Sequence, residues 1–206
     1  MDYRIEISGR NQWKDARGLS LQRKAAGSLG ITDVQGVRTR DVYTVCADID
    51  PEQALAVARE LSNPVTQTGI VGQTPVAEGP EFDWLIRVGF KPGVTDNVGR
   101  TAHVAVGDII GRKLTRQEHV YSSVEYLLDA PKLSREDALR IAKKLLANEL
   151  IETVSVFSRE DLLAAPIPLN KPEVAGDDKI QVREYDLNVS DEELMEISRK
   201  GTLALS

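Results

Sequence analysis

Hydrophobic residues in this chain follow two different periods, one after the other. From Tyr3 to Ile7, and again from Trp84 to Phe90, apolar and polar residues alternate, which is typical of a strand with one buried face. A turn follows each of these strands, and then a pattern with apolar residues three and four positions apart, which predicts a helix. The apolar helix positions are Ala102, Ala105, Val106, Ile109 and Ile110 after the second strand, and the sparser set Leu21, Ala25 and Leu29 after the first.

The second half of the chain repeats the pattern of the first half. Asp-Ala-Arg-Gly at 15–18 corresponds to Asp-Asn-Val-Gly at 96–99, which lies 81 residues further on. Residues 50–59 correspond to residues 134–143 at a spacing of 84, so we expect a short insertion around 112–119. These matches predict two copies of one structural unit. The predicted domains are copy one at 1–72, copy two at 83–158, and a linker and tail at 159–206.

Each copy is predicted to contain a strand, a helix, two strands, a second helix and a last strand. The second helix begins at an N-cap signal, Asp50 with Pro51 in copy one and Ser134 in copy two, and Gly30 and Gly111 are placed to end the first helices. This order predicts an α+β, ferredoxin-like unit with its helices on one face of a four-stranded sheet. We expect the two sheets to pack face to face, which would make a pseudo-dimer within one chain. The two middle strands are predicted at Asp33–Thr39 and Asp41–Ile49 in copy one, and at Leu114–Val120 and Ser122–Leu128 in copy two.

Composition and charge argue against several classes of protein. The 26 basic and 32 acidic residues give a net charge of −6, whereas nucleic-acid-binding proteins carry basic surfaces. No apolar run approaches the ~20 residues that span a bilayer, so we expect a soluble cytoplasmic protein without a membrane partner. Cys46 is the only cysteine, and His103 and His119 are the only histidines. We therefore predict no catalytic, cofactor-binding or metal-binding residues.

The turn that joins strand to helix in copy two is the one candidate site. Backbone amides at such a turn can bind an anion, although the glycine spacing is not that of a phosphate-binding Walker loop. Two interpretations stay open: a turn whose Asp96 caps the helix, or a contact with an anion or a partner protein through Lys91 and Arg100. The candidate contact residues are Lys91, Pro92, Gly93, Asp96, Gly99 and Arg100.

The same turn carries a resemblance to a known family. Residues 90–99, Phe-Lys-Pro-Gly-Val-Thr-Asp-Asn-Val-Gly, follow a Leu-Ile-Arg-Val strand and resemble the PurS family, the small non-catalytic component of phosphoribosylformylglycinamidine synthase in purine biosynthesis. Copy one keeps Asp15 and Gly18 but has Arg-Asn-Gln-Trp-Lys at 10–14 in place of the lysine-proline-glycine turn. Residues 186–206 resemble the opening of the PurL-type synthetase subunit of that enzyme. The resemblance covers 2–158 and 181–206.

The resemblance implies a function in assembly. PurS dimers bridge the synthetase and glutaminase subunits and help ammonia reach the synthetase site, so we expect this chain to be the N-terminal PurS-like part of such a synthase. The expected partners are the PurL-type synthetase region and the glutaminase subunit, and self-association into a homodimer is left open. We do not expect the chain to be an enzyme on its own. ATP and magnesium belong to the parent enzyme, an ATP-dependent glutamine amidotransferase ligase. An alternative is a tandem ferredoxin-like module that senses a small ligand, such as an amino acid or a nucleotide, between its copies.

Overall fold

The structure, a computed structural model, describes residues 2–10, 14–74, 76, 81–173, 182 and 184–201. Both copies have the same order of elements. Copy one consists of β1 (Asp2–Gly9), α1 (Ala16–Leu29), β2 (Gly36–Cys46), α2 (Pro51–Glu60) and β3 (Gln67–Val71). Copy two consists of β4 (Trp84–Phe90), α3 (Asn97–Ile110), β5 (His119–Asp129), α4 (Arg135–Ile141), which continues as a π-helical turn (Ala142–Leu146), and β6 (Glu152–Ser158).

The local signals in the sequence are found where they were predicted. Asp50 caps α2 through a hydrogen bond from the Gln53 amide, and the Ser134 side chain caps α4. Gly30 and Gly111 end α1 and α3 with φ of 70° and 74°, a left-handed conformation that favours glycine. The start residues of α1 and α3 are 81 positions apart, but those of β2 and β5 are 83 apart. The predicted insertion therefore lies in the loop between α3 and β5.

The described strands form one antiparallel six-stranded sheet in the order β3-β1-β2-β5-β4-β6. The two copies meet at its centre, where β2 and β5 pair along their whole length, from Gly36 opposite Asp129 to Cys46 opposite His119. Asp41 pairs with Val124, the residue 83 positions further on and therefore its own counterpart in copy two. A pseudo-twofold axis thus passes through the middle of this ladder.

This arrangement differs from the prediction in two ways. The two sheets are joined edge to edge, not packed face to face. In the described part of each copy, the two predicted middle strands are replaced by one long strand, β2 or β5. A hairpin would need residues suited to a tight turn, commonly glycine or asparagine, but residues 38–42 are Arg-Thr-Arg-Asp-Val and residues 121–125 are Tyr-Ser-Ser-Val-Glu. The chain therefore continues straight, and the long strand of the other copy occupies the place of the fourth strand.

The first helix of each copy packs on the core of the other copy. In one core cluster, Leu21 and Ala25 of α1 pack with residues of copy two such as Ile86, Leu128 and Ile141. The other cluster reverses these roles. There, Ala102 and Val106 of α3 pack with residues of β1, β2 and α2, among them Ile5, Ile7, Val45, Ala54 and Val57. Each hydrophobic core is therefore built from both copies, and neither copy holds a complete core of its own.

The opposite face of the sheet is partly covered by the segment that follows β6. That segment begins with α5 (Arg159–Ala164). Leu162 and Ile167 pack with Phe82, Leu85 and Leu127 in a third apolar cluster. We call residues 159–173 the strap. Its Pro168 carbonyl accepts a hydrogen bond from Arg87 Nη1, and the Ile167 amide donates to Gln73 Oε1 at 2.9 Å.

The chain divides into two compact units, residues 1–174 and 175–206. The described part of the second unit contains α6 (Asp191–Gly201), whose first turn is acidic and whose last turn is basic, as favours a helix dipole. The Glu193 amide donates to Ser190 Oγ at 3.3 Å at the start of this helix. Among the described helices, none combines the length and the apolar character needed to cross a membrane.

Candidate functional site

The predicted turn of copy two leaves β4 at Lys91 and is fixed at its start. The Lys91 amide donates to the Ile151 carbonyl at 2.9 Å, and Lys91 Nζ donates to the Glu149 carbonyl at 2.5 Å. Both contacts join the turn to the loop that precedes β6. Gly93 has a φ of 81°, which explains why glycine stands at this position. Pro92 and Gly93 are exposed, so the tip of the turn faces solvent, while the contacts of Lys91 hold its start in place.

Asp96 connects the end of this turn to the central ladder. Its Oδ1 accepts from the Gly99 amide at 2.6 Å, which caps α3, and from Ser122 Oγ at 2.8 Å. Its Oδ2 accepts from the Ser122 amide at 2.6 Å. A Cβ atom at Gly99 would lie 2.5 Å from the Val120 carbonyl oxygen, so only glycine lets the helix come this close to β5.

Copy one contains the same connection. Asp15 Oδ1 accepts from the Gly18 amide at 2.8 Å, and Oδ2 accepts from the Thr39 amide and hydroxyl at 2.6 and 2.8 Å. A Cβ atom at Gly18 would lie 2.2 Å from the Val37 carbonyl oxygen. The repeated Asp-x-x-Gly pattern therefore ties a helix start to the central strand in both copies. Of the six candidate residues, Asp96 and Gly99 have this structural role, and Pro92, Gly93 and Arg100 are exposed. Within the described part of the chain, no ion pair involves the Arg100 side chain.

A buried ionic network on the strap side of the sheet was missed by the sequence analysis. Glu125 is fully buried and accepts from Arg4 Nη2 at 2.7 Å and from Arg40 Nε at 2.7 Å. Glu6, 1% exposed, accepts from Arg4 Nε and Arg40 Nη1, both at 2.8 Å, and from Thr74 Oγ1 at 2.6 Å. Burial opposes ionisation of Glu125, but the two guanidinium groups outweigh it and hold the pKa of this carboxyl below its ordinary value.

The network joins the two copies as well as neighbouring strands. Arg4, Glu6 and Arg40 belong to copy one, whereas Glu125 belongs to copy two and pairs directly with Arg40 in the central ladder. The alternation of Arg4 and Glu6 with apolar residues resembled a solvent-facing pattern. Nothing local in the sequence indicated that residues near Thr74 and in the strap would cover this face.

The cysteine and the histidines have local roles. Burial, and then the carboxylate of Asp2, raise the pKa of the Cys46 thiol to about 11, so the thiol is protonated near neutral pH. His103 Nε2 is 3.0 Å from the Glu118 carbonyl oxygen, and the His119 ring lies beside Tyr121. Within the described ranges, no three residues of the types histidine, cysteine, aspartate and glutamate are grouped so as to hold a metal ion.

Comparison with known proteins adds no family to this picture. No protein-family model matches the chain, and no curated protein is similar to it in sequence. The fold defines an α+β protein built from an interlocked duplication.

Proposed function

We propose that this chain is a PurS-like, non-catalytic assembly part of a phosphoribosylformylglycinamidine synthase. In this role it bridges the PurL-type synthetase region and the glutaminase and supports the transfer of ammonia between them. The ATP, magnesium and ribonucleotide of the reaction are bound by the synthetase region. The basis of the proposal is the Lys-Pro-Gly-Val-x-Asp-x-x-Gly string at 91–99.

The observation that carries the proposal is the way in which this string folds. Its Asp96 and Gly99 fix the helix to the central strand, and Lys91 fixes the turn to the loop before β6. Pro92, Gly93 and the Arg100 side chain are left exposed on this base. A turn held in one conformation loses little entropy when a partner binds it, which is the property that a docking surface needs.

The interlocked cores support the same role. A bridging component must keep its two ends in a fixed relation, and here each core contains a helix from the other copy. Fusion of the two copies in one chain also removes the concentration dependence of their pairing.

The test is assembly and channelling with a PurL-type synthetase and its glutaminase. We expect the chain to form a complex with them, visible in analytical ultracentrifugation, and Arg100→Glu to weaken that complex about tenfold, since it reverses an exposed charge beside the turn. Synthesis driven by glutamine should fall in this variant, whereas synthesis driven by added ammonia should not. Arg116→Glu, an exposed charge in the loop before β5, is the matched control. Failure of the chain to bind either protein would refute the proposal.

The alternative function, sensing of a small ligand, is distinguished by calorimetry. Saturable heat from an amino acid or a nucleotide at micromolar concentration, without binding to the synthase proteins, would favour the sensor. An assembly part predicts the reverse.

A further inference from the structure

A cavity of about 350 Å³ opens where β1 ends and α1 begins in copy one. This volume lies within the range of small-ligand sites. Four basic side chains line it, those of Lys14, Arg17, Arg38 and Arg40. Four hydroxyl-bearing residues also line it; the hydroxyls of Thr39 and Thr74 donate to Asp15 and Glu6, and the other two are Ser8 and Thr66.

The acidic groups near the cavity are already bonded. Asp15 is the only acidic residue that the structure places in the described cavity wall, and its oxygens accept from the Gly18 amide and from Thr39. Arg17 pairs with Asp41 at 2.7 Å, and Arg40 belongs to the buried network. Lys14 and Arg38 pair with no carboxylate of a described residue. The cavity therefore holds two cations, those of Lys14 and Arg38, that form no ion pair with any residue the structure describes.

The position in copy two that corresponds to this cavity has a different character. Ser8, Lys14, Arg38 and Arg40 correspond to Gly89, Thr95, Tyr121 and Ser123, so the positive charges are absent there. In copy two, the strap residue Asn170 also occupies space beside Gly89. A Cβ atom at Gly89 would lie 2.7 Å from Asn170 Nδ2. The charged cavity is thus a property of copy one and not a consequence of the repeated fold.

We propose that this cavity binds a small phosphorylated molecule, a phosphate monoester whose phosphate group lies between Arg38 and Lys14. A guanidinium group can hold two phosphate oxygens at once, and an ammonium group supplies a compact charge to a third. The hydroxyl groups of Ser8 and Thr66 add neutral donors. This proposal does not depend on the assembly function, since it concerns binding by the chain alone.

The test is titration of the intact chain with inorganic phosphate and with glycerol 2-phosphate at constant ionic strength. We expect saturable binding by calorimetry, with amide shifts in the nuclear magnetic resonance spectrum concentrated at Ala16 and Thr39. Arg38→Gln and Lys14→Gln should each weaken binding about tenfold, and Arg116→Gln should leave it unchanged. Thermal unfolding of each variant without ligand shows that the fold is retained.

The opposite results are equally clear. Heats that do not saturate, amide shifts spread over the surface, or equal losses in Arg38→Gln and Arg116→Gln would each overturn the proposal. Binding of inorganic phosphate without any gain for the monoester would limit the ligand to the free anion and would refute the assignment to a phosphorylated molecule. None of these results bears on the complex with the synthase proteins, so the two proposals fail separately.

Discussion

The strap side of the sheet is stabilised differently in its two halves. On the side of copy one, Arg4 and Glu6 of β1 join Arg40 and Glu125 in a buried ionic network. On the side of copy two, the residues that correspond to Arg4 and Glu6 are Leu85 and Arg87. Leu85 is part of an apolar cluster with strap residues, and Arg87 donates to the Pro168 carbonyl of the strap.

The two halves show which features the fold requires and which features can differ between the copies. The contact of an aspartate with a glycine amide and a hydroxyl residue is the same in both copies. Its glycine is required, because a side chain there would collide with the central strand. The strap face carries no such requirement. Each half pairs its buried groups in its own way, and the charged cavity described above lies in copy one.

The largest effect is expected from breaking the ionic network. Glu125→Gln removes the charge that compensates Arg4 and Arg40 while leaving both buried, so it should lower the free energy of unfolding by about 3–5 kcal/mol. Urea denaturation measures the change. Glu60→Gln, which removes one partner of the exposed pair with Arg59, is the control and should cost less than about 0.5 kcal/mol. Similar costs for the two variants would contradict the importance of the network.

The Asp-x-x-Gly contact with the central strand occurs in both copies, so disrupting it should lower stability by a similar amount in each. Gly18→Ala and Gly99→Ala each place a Cβ atom within 2.5 Å of a carbonyl oxygen of the central strand, so each should cost about 2 kcal/mol or more in stability. Gly27→Ala in the same helix as Gly18 meets no atom within 4 Å and should stabilise the protein by up to about 1 kcal/mol. Chemical denaturation of the three variants checks this order. A harmless change at either Gly18 or Gly99 would show that the copies are not tied alike.

A smaller effect should appear in the pH dependence of stability. Because the pKa of Glu125 is lower in the folded protein, its ionisation stabilises the fold above its unfolded pKa near 4.5, and this contribution is lost as pH falls through the folded pKa. The native protein should therefore lose more stability than Glu125→Gln between about pH 5 and pH 3. Urea midpoints at several pH values measure the difference, and parallel curves for the two proteins would argue against it.

Much of the local structure could be predicted from the sequence, and the long-range pairing could not. The caps at Asp50 and Ser134, the αL glycines Gly30 and Gly111, and the duplication follow from short patterns. The choice between a hairpin and one long strand depends on the turn residues that are missing near Arg40, whereas the alternation of apolar and polar residues is the same for both. With one long strand in place of the hairpin, β2 pairs with β5, and the first helix of each copy packs on the core of the other copy.

The candidate site was predictable to a similar degree. The Asp-x-x-Gly pattern identified the helix starts, and the N-cap interpretation of Asp96 is confirmed by its bond from the Gly99 amide. The cavity in copy one could not be predicted, since Ser8 and Lys14 lie far in sequence from Arg38 and Thr66 and meet them only in the folded protein.

Native-state hydrogen exchange of the intact chain tests the central claim, that two copies share cores and unfold together. The slowest amides of β1, β2, β4 and β5 are predicted to exchange through one global opening, with a single free energy and a single dependence on urea. Two separate free energies, one for the strands of copy one and another for those of copy two, would contradict the interlocked fold.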